Sequence, residues 1–142
     1  MPPNPALIRF MSSTHAFWYQ LSGGIIGRSV FGAPVLILTH TGRKSGRRRT
    51  SPLIYLQDGD NFVIVASKRG SDNHPVWFLN LRAHPDAEVL IGRNKTRVRA
   101  EVASDEERAR LWPLLVQMYK SYDEYQKSTS RKIPVVLLRP VG

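Results

Sequence analysis

The sequence predicts an α+β fold, a mostly antiparallel barrel with flanking helices, and three observations carry that prediction. The apolar run Val35-Leu36-Ile37-Leu38 ends in a glycine-punctuated basic loop and returns as Pro52-Leu53-Ile54-Tyr55-Leu56, which reads as strand, turn, strand. Asp58-Gly59-Asp60-Asn61 and Gly92-Arg93-Asn94-Lys95 are two further tight-turn signals between segments that alternate apolar and polar residues. The element order is helix, three strands, helix, two strands, helix, strand. Consecutive hairpins of this kind favour an antiparallel barrel over a doubly wound parallel sheet, in which helices would separate the strands.

The 142 residues, 42% apolar and 9% aromatic, fit one domain able to bury a core. Residues 1–33 read as a variable N-terminal segment and 34–142 as the folded domain. The first eleven residues hold three prolines and lack the charged start and cleavage site of a signal peptide. Ser12 or Ser13 N-caps a short helix through His15-Ala16-Phe17-Trp18-Tyr19-Gln20-Leu21, which breaks at Gly23-Gly24. Arg28 and the glycines interrupt the apolar residues that follow, so no span of about 20 apolar residues exists. The Phe17-Trp18-Tyr19 cluster packs on the sheet or, alternatively, covers a flat ligand or touches a membrane interface. The predicted location is cytoplasmic, with peripheral membrane contact open through this segment.

The later elements follow in order. The Asp58 turn joins Leu53–Gln57 to Phe62–Ala66, so three antiparallel strands are consecutive. After the polar loop from Ser67 to Asn73, Pro75 takes the first position of a helix that stops at His84, because a residue before proline avoids the α region. Glu88–Arg93 and Thr96–Ala103 form the second hairpin. Ser104-Asp105-Glu106-Glu107 is a capping-box pattern with carboxylates in the first helical turn. The helix it opens carries Leu111, Leu114, Leu115, Met118, Tyr119 and Tyr122 as an apolar stripe, with Pro113 expected to kink or reset it. Ile133 to Leu138 is the last strand.

Charge points to an anionic guest. The formal net charge is +10, and Arg9, Arg28, Arg43, Lys44, Arg47, Arg48 and Arg49 all precede the first acid, Asp58. Five of these cations lie between Arg43 and Arg49 beside Gly42 and Gly46, which give the backbone access to positive φ and let N–H groups approach an anion. Nucleic acid, an anionic membrane and a phosphorylated small molecule all suit this charge. No helix-turn-helix, zinc-finger or RNP-like signature is present, and apolar strands and an aromatic helix follow the loop at once. This suits a pocket with one anionic and one flat apolar end.

No self-sufficient catalytic set stands out. There is no cysteine, which excludes disulfides, thiolate metal sites and a Cys nucleophile. The histidines His15, His40, His74 and His84 lack metal-ligand spacing, and no metal is expected. His74 and His84, each before a proline, suit local hydrogen bonding. Ser67 has no nucleophile-elbow setting, and no carboxylate pair is marked for acid–base work. An enzyme of this composition relies on a cofactor for its chemistry.

Several motifs in register resemble one family. Thr41-Gly42-Arg43-Lys44-Ser45-Gly46, Ser51-Pro52-Leu53, Ala66-Ser67-Lys68, Pro75-x-Trp77-x-x-Asn80-Leu81, Asp105-Glu106-Glu107-Arg108, Trp112-Pro113, Met118-Tyr119 and Tyr122-x-x-Tyr125 are similar to the deazaflavin-dependent nitroreductase and quinone reductase family of actinobacteria. The resemblance runs from about Pro34 to Pro140 and is looser over the first 33 residues. It implies a split β-barrel of the FMN-binding type and coenzyme F420, a flat deazaflavin carrying a ribityl phosphate, a lactyl group and an oligoglutamate tail. An FMN-binding barrel oxidoreductase, or a non-enzymatic binder of nucleic acid or membrane, is the alternative.

By the same resemblance, Arg43, Lys44, Ser45 and Arg49 contact the phosphate and tail. Thr50, Ser51, Pro52, Leu53, Ile54 and Tyr55, with Val65, Ala66, Ser67 and Lys68, wall the deazaflavin. Val76, Trp77, Phe78, Leu79 and Asn80 form the helix packed along it, and Tyr122 stands at its open face. The implied reaction is hydride transfer from reduced F420 to a quinone-like electron acceptor, a nitroaromatic or an activated enone, with Tyr122 and Ser67 as catalytic hydrogen-bond donors. No nucleic-acid partner is implied. Ile54 departs from the pattern: nitro-reducing members carry an aromatic residue there, which disfavours bulky bicyclic nitro drugs.

Overall fold

The computed structural model describes residues 29–30 and 33–141. The short helix expected from Ser12 or Ser13 and its Phe17-Trp18-Tyr19 cluster lie outside the described residues. The elements are β1 (Ser29–Val30), β2 (Ala33–Thr41), β3 (Arg48–Ile54), β4 (Leu56–Asp58), β5 (Asn61–Val65), α1 (Val76–Ala83), β6 (Asp86–Ile91), β7 (Asn94–Val102), α2 (Asp105–Met118), α3 (Ser121–Lys127) and β8 (Val135–Pro140).

Every strand pairing is antiparallel, and the ladder runs β3-β2-β6-β7-β8-β5-β4, with β1 on the start of β2. The ends of this ladder, β3 and β4, are separated in sequence only by Tyr55. Seven flat strands would place the two edges about 29 Å apart, whereas one residue spans about 3.5 Å. The sheet therefore curls until its edges meet, which is the split barrel. Tyr55 marks the seam, and its N–H donates to the Pro34 carbonyl at 3.1 Å. The second predicted strand, Leu53–Gln57, is thus bent at Tyr55 into the end of β3 and β4, and the third, Phe62–Ala66, is β5.

Turn chemistry sets the hairpins. Gly59 (φ 59°) and Gly92 (φ 61°) each occupy the first central position of a two-residue loop, between Asp58 and Asn61 and between Ile91 and Asn94. Alternation then sorts the side chains. Leu36, Leu38, Ile64, Val89, Val98, Val136 and Leu138 fill the interior together with Trp77, Phe78 and Leu81 of α1. The other face of β5 and β8 presents Val63, Val65, Val135 and Leu137 to Leu111 and Leu115 of α2 and Tyr122 of α3. The two buried faces explain why β5 and β8 read as nearly continuous apolar runs.

The helix ends refine the sequence reading. Pro75 is the N-cap of α1 in an extended conformation (φ −64°, ψ 151°), one position before its expected place. Ser104 caps α2 as predicted: its hydroxyl accepts the Glu107 N–H at 3.1 Å, while the Glu107 carboxylate accepts the Ser104 N–H at 3.2 Å. Pro113 does not end α2. The break comes at Tyr119 (φ −145°, ψ 97°), and α3 starts anew at Ser121.

Candidate functional site

The basic hairpin places its cations on different faces. Directly paired residues of antiparallel strands share a face. His40 pairs with Arg49, Leu38 with Ser51 and Leu36 with Leu53, so Arg49, Ser51 and Leu53 point to the interior side. Thr41 pairs with Arg48, Thr39 with Thr50, Ile37 with Pro52 and Val35 with Ile54, which puts that set outside. Arg48 accordingly reaches Glu88 across the outer face at 3.0 Å. The expected wall from Thr50 to Tyr55 is thereby split, and Thr50, Pro52 and Ile54 present side chains to one side while Ser51 and Leu53 present theirs to the other.

The loop between the strands is closed by Gly42 N–H donating to the Arg47 carbonyl and Gly46 N–H to the Gly42 carbonyl, both at 2.8 Å. Gly46 takes the expected positive φ of 70°, but Gly42 does not. A Cβ at Gly42 would lie 2.6 Å from Ser45 Oγ and 3.4 Å from Arg49 Nε, so Ser45 would have to turn out of its place over the loop. Among the described residues, Arg43, Lys44, Arg47 and Arg49 make no ion pair, a property they share with cations such as Arg93 and Lys95, but these four are gathered within one loop, where only Arg48 is paired. Four exposed, unpaired cations around a tight backbone turn make a donor set for a phosphate or carboxylate.

A buried polar chain anchors this loop. The Arg43 backbone N–H donates to Asn80 Oδ1 at 2.9 Å, Asn80 Nδ2 lies 3.0 Å from His40 Nδ1, and His40 Nε2 lies 3.0 Å from Ser51 Oγ. Because an N–H is only a donor, Oδ1 must be the acceptor, which leaves Nδ2 to donate to His40 Nδ1. His40 is then neutral with its proton on Nε2, directed at Ser51 Oγ, and the Ser51 hydroxyl proton is free to point elsewhere. Burial, aided by the Arg49 charge, lowers the His40 pKa to about 4, in agreement with that assignment. His40 and Asn80 are the buried polar residues of the described chain.

The Ala66–Ser71 loop, which carries Ser67 and Lys68, closes the other side. Lys68 and Arg69 both have positive φ, 44° and 54°. Arg131 holds this loop from behind through the carbonyls of Ala66, Ser67 and Ser71, and also meets His74 Nδ1 at 3.2 Å. His74 packs its ring on Phe78, 4.8 Å between centroids, so its role is local as expected. In α1, Trp77 and Phe78 are core residues, Leu79 is half-buried, and Val76 is 55% exposed.

Tyr122 does not stand at an open face. It is 4% exposed, with its ring among Trp112, Tyr119 and Tyr125, because α3 lays this face on β5 and β8. Its hydroxyl has no hydrogen-bond partner among the described residues, and burial pushes the phenol pKa upward, so it stays protonated. Tyr119 and Tyr125 bring their hydroxyls within 3.4 Å of each other. A separate cleft of about 340 Å³, lined in part by Thr39, Arg48, Glu88 and Arg97, contains none of the residues expected to bind. The Arg48–Glu88 ion pair crosses its wall.

Comparison with known proteins decides the family. The profile of the F420H(2)-dependent quinone reductase family matches residues 11–140. The chain belongs to that family. An F420H(2)-dependent quinone reductase of Mycobacterium tuberculosis is 41% identical over 128 residues, 87% of this chain and 86% of the relative. A second relative from that organism is 47% identical over 107 residues, 75% of this chain and 90% of its own length. A solved F420-H2 dependent reductase superposes with a TM-score of 0.70 at 37% identity, covering 75% of this chain and 94% of the other. The family match begins at residue 11, so it reaches into the segment that the motifs matched only loosely. Within this reductase fold, two residues that position others were not singled out by the sequence. His40 is hinted at by its place two residues beyond Leu38 on the interior face; Arg131 has no such signal.

Proposed function

We propose that this chain oxidises reduced coenzyme F420 by hydride transfer to a quinone-like acceptor, with the cofactor's anionic end on the Gly42–Arg47 loop and its flat head between β3, the Ala66–Ser71 loop and the start of α1. The carrying observation is that four exposed cations without acidic partners among the described residues, Arg43, Lys44, Arg47 and Arg49, are gathered within seven residues around one tight backbone turn. The donor set fits the group: guanidinium and ammonium for phosphate and carboxylates, and backbone N–H groups and apolar side chains for a flat heterocycle. Bound there, the reduced deazaflavin supplies the hydride.

The chain's own residues do the rest. Arg43, Lys44 and Arg49 bind the phosphate and tail, each through charge-assisted hydrogen bonds of about 1.5–3 kcal/mol. Ser45 and Ser51 add hydroxyl contacts. Val76, exposed at the start of α1, meets the head, while Trp77 and Phe78 hold the helix from behind. The Tyr122 ring is packed, so only its hydroxyl, protonated and without a partner among the described residues, is left to donate to the acceptor oxygen that gains charge, and Ser67 is a second donor on the Ala66–Ser71 loop. A bilayer-dissolved quinone would be met at the membrane surface, which the +10 net charge suits.

The test is a fluorescence titration with F420 and, separately, with FMN, followed by stopped-flow oxidation of the loaded protein by a menaquinone analogue. Binding of F420 and rapid oxidation are expected. Binding of FMN in preference to F420 favours the alternative flavin barrel, and strong binding to duplex DNA with none to F420 sinks the reductase reading.

A further inference from the structure

Arg131 lies outside every motif, yet its guanidinium is the centre of the Ala66–Ser71 loop. Nε donates to the Ser71 carbonyl at 2.7 Å, Nη1 to the Ala66 carbonyl at 3.1 Å and Nη2 to the Ser67 carbonyl at 2.8 Å. In a planar trans peptide, the C=O of one residue and the N–H of the next point in opposite directions. No described peptide bond is cis. By gripping two consecutive carbonyls, Arg131 turns the N–H groups of Ser67 and Lys68 away from itself, side by side. Neither finds an acceptor among the described residues.

The conformation is one the chain would not choose alone. Ser67 is right-handed (φ −78°, ψ −39°) and Lys68 left-handed (φ 44°), the alternation that forms an anion-binding nest, and Arg69 is left-handed again (φ 54°). Consecutive left-handed non-glycine residues cost of order 1–3 kcal/mol each and persist only when their surroundings hold them. The back of the loop is closed by α3: a side chain at Gly70 would run into Ser128 and meet the Tyr125 carbonyl at 2.8 Å, and Ser128 Oγ donates to the Gly70 carbonyl at 3.2 Å.

We propose that Arg131 is a positioning residue that holds the Ser67 and Lys68 N–H groups as a paired donor site for a carbonyl oxygen on the flat head of the cofactor. The proposal rests on the F420 reading above. The head is assigned because an amide pair suits a neutral or partly charged carbonyl, whereas the polyanionic tail is matched by the hairpin cations.

The experiment uses the full chain and its variants Arg131→Lys and Arg131→Ala, titrated with F420 and with the deazaflavin chromophore lacking phosphate and tail. Amide exchange is followed at Gly70 and Ser71, whose N–H groups bond to the Ser67 and Lys68 carbonyls at 2.9 and 3.0 Å. Both ligands should weaken by a similar factor, about 10- to 100-fold for loss of a charged hydrogen-bond set. Exchange at Gly70 and Ser71 should accelerate, and guanidinium chloride should restore binding to Arg131→Ala where potassium chloride does not. Native affinity in both variants overturns the proposal. Weakening of F420 alone overturns the assignment to the head. If the native chain binds neither ligand, the F420 reading fails and the ligand half of this proposal falls with it; accelerated exchange at Gly70 and Ser71 then isolates what Arg131 does to the loop.

Discussion

Asn80 Oδ1 accepts the backbone N–H of Arg43 at 2.9 Å, so a helix residue fixes the base of the cationic loop 37 positions earlier in the chain. The same amide donates to His40, and strand, loop and helix are thereby held in one buried polar chain. Such a chain is costly to interrupt, because each partner left behind keeps its desolvation penalty.

Asn80→Leu should therefore destabilise the fold by about 1–3 kcal/mol and also weaken F420 binding, since the Arg43 N–H and His40 Nδ1 both lose their partner. Asn80→Asp keeps an acceptor for Arg43 but cannot donate to His40 Nδ1. NMR of the His40 ring should show Nδ1 protonated in that variant and unprotonated in the native chain.

His40 predicts a pH dependence of stability. Its folded pKa, lowered to about 4 by burial and the Arg49 charge, lies below its ordinary value of 6.5. Between these values the unfolded chain binds the proton and the folded chain does not, so stability rises with pH across this window and is lost as pH falls through it. His40→Gln should flatten that part of a urea-denaturation series taken from pH 4 to 7. A slope unchanged by the substitution assigns the dependence to other groups.

The loop cations and the outward-facing Arg48 of β3 should differ in their effect on binding. Arg43→Ala with Lys44→Ala should reduce F420 affinity and its salt dependence, whereas Arg48→Ala, which breaks only the outward pair with Glu88, should leave affinity unchanged. Equal losses in both variants would indicate a diffuse charge effect.

Gly42→Ala should cost about 0.5–1.5 kcal/mol, because Ser45 Oγ must turn away and lose the Arg47 N–H, and Ser45→Ala should relieve the contact in the double variant. Thermal melts of the four proteins give the coupling directly. Additive losses show that the loop adjusts elsewhere.

Tyr122→Phe removes a hydroxyl from a ring that is otherwise buried. Cofactor affinity should hold while quinone turnover falls by about 10- to 100-fold, the effect of losing one hydrogen bond at the transition state. A nitroimidazole should be reduced far more slowly than the quinone, because Ile54 supplies neither an aromatic face nor a hydroxyl. Native turnover in Tyr122→Phe leaves the proton to Ser67 or water.

The sequence by itself determined the hairpins, the helix caps and the cationic loop, because each is written in neighbouring residues: Gly59 and Gly92 in two-residue turns, Ser104 with Glu107, and Arg43 beside Gly42. Its motifs in register also led to the family that the comparisons then identified. Tertiary structure alone decided which cations are spoken for, since Arg48 and Glu88 meet only when β2 and β6 pair. It also decided that α2 runs through Pro113 and that the Tyr122 ring is packed, because the face laid on β5 and β8 outweighs local propensity. His40 with Asn80 and Arg131 with the Ala66–Ser71 loop are contacts across 40 and more than 50 residues, made by closing a barrel whose seam is one tyrosine. No local pattern encodes such pairs, because they depend on where the curled sheet brings its ends together.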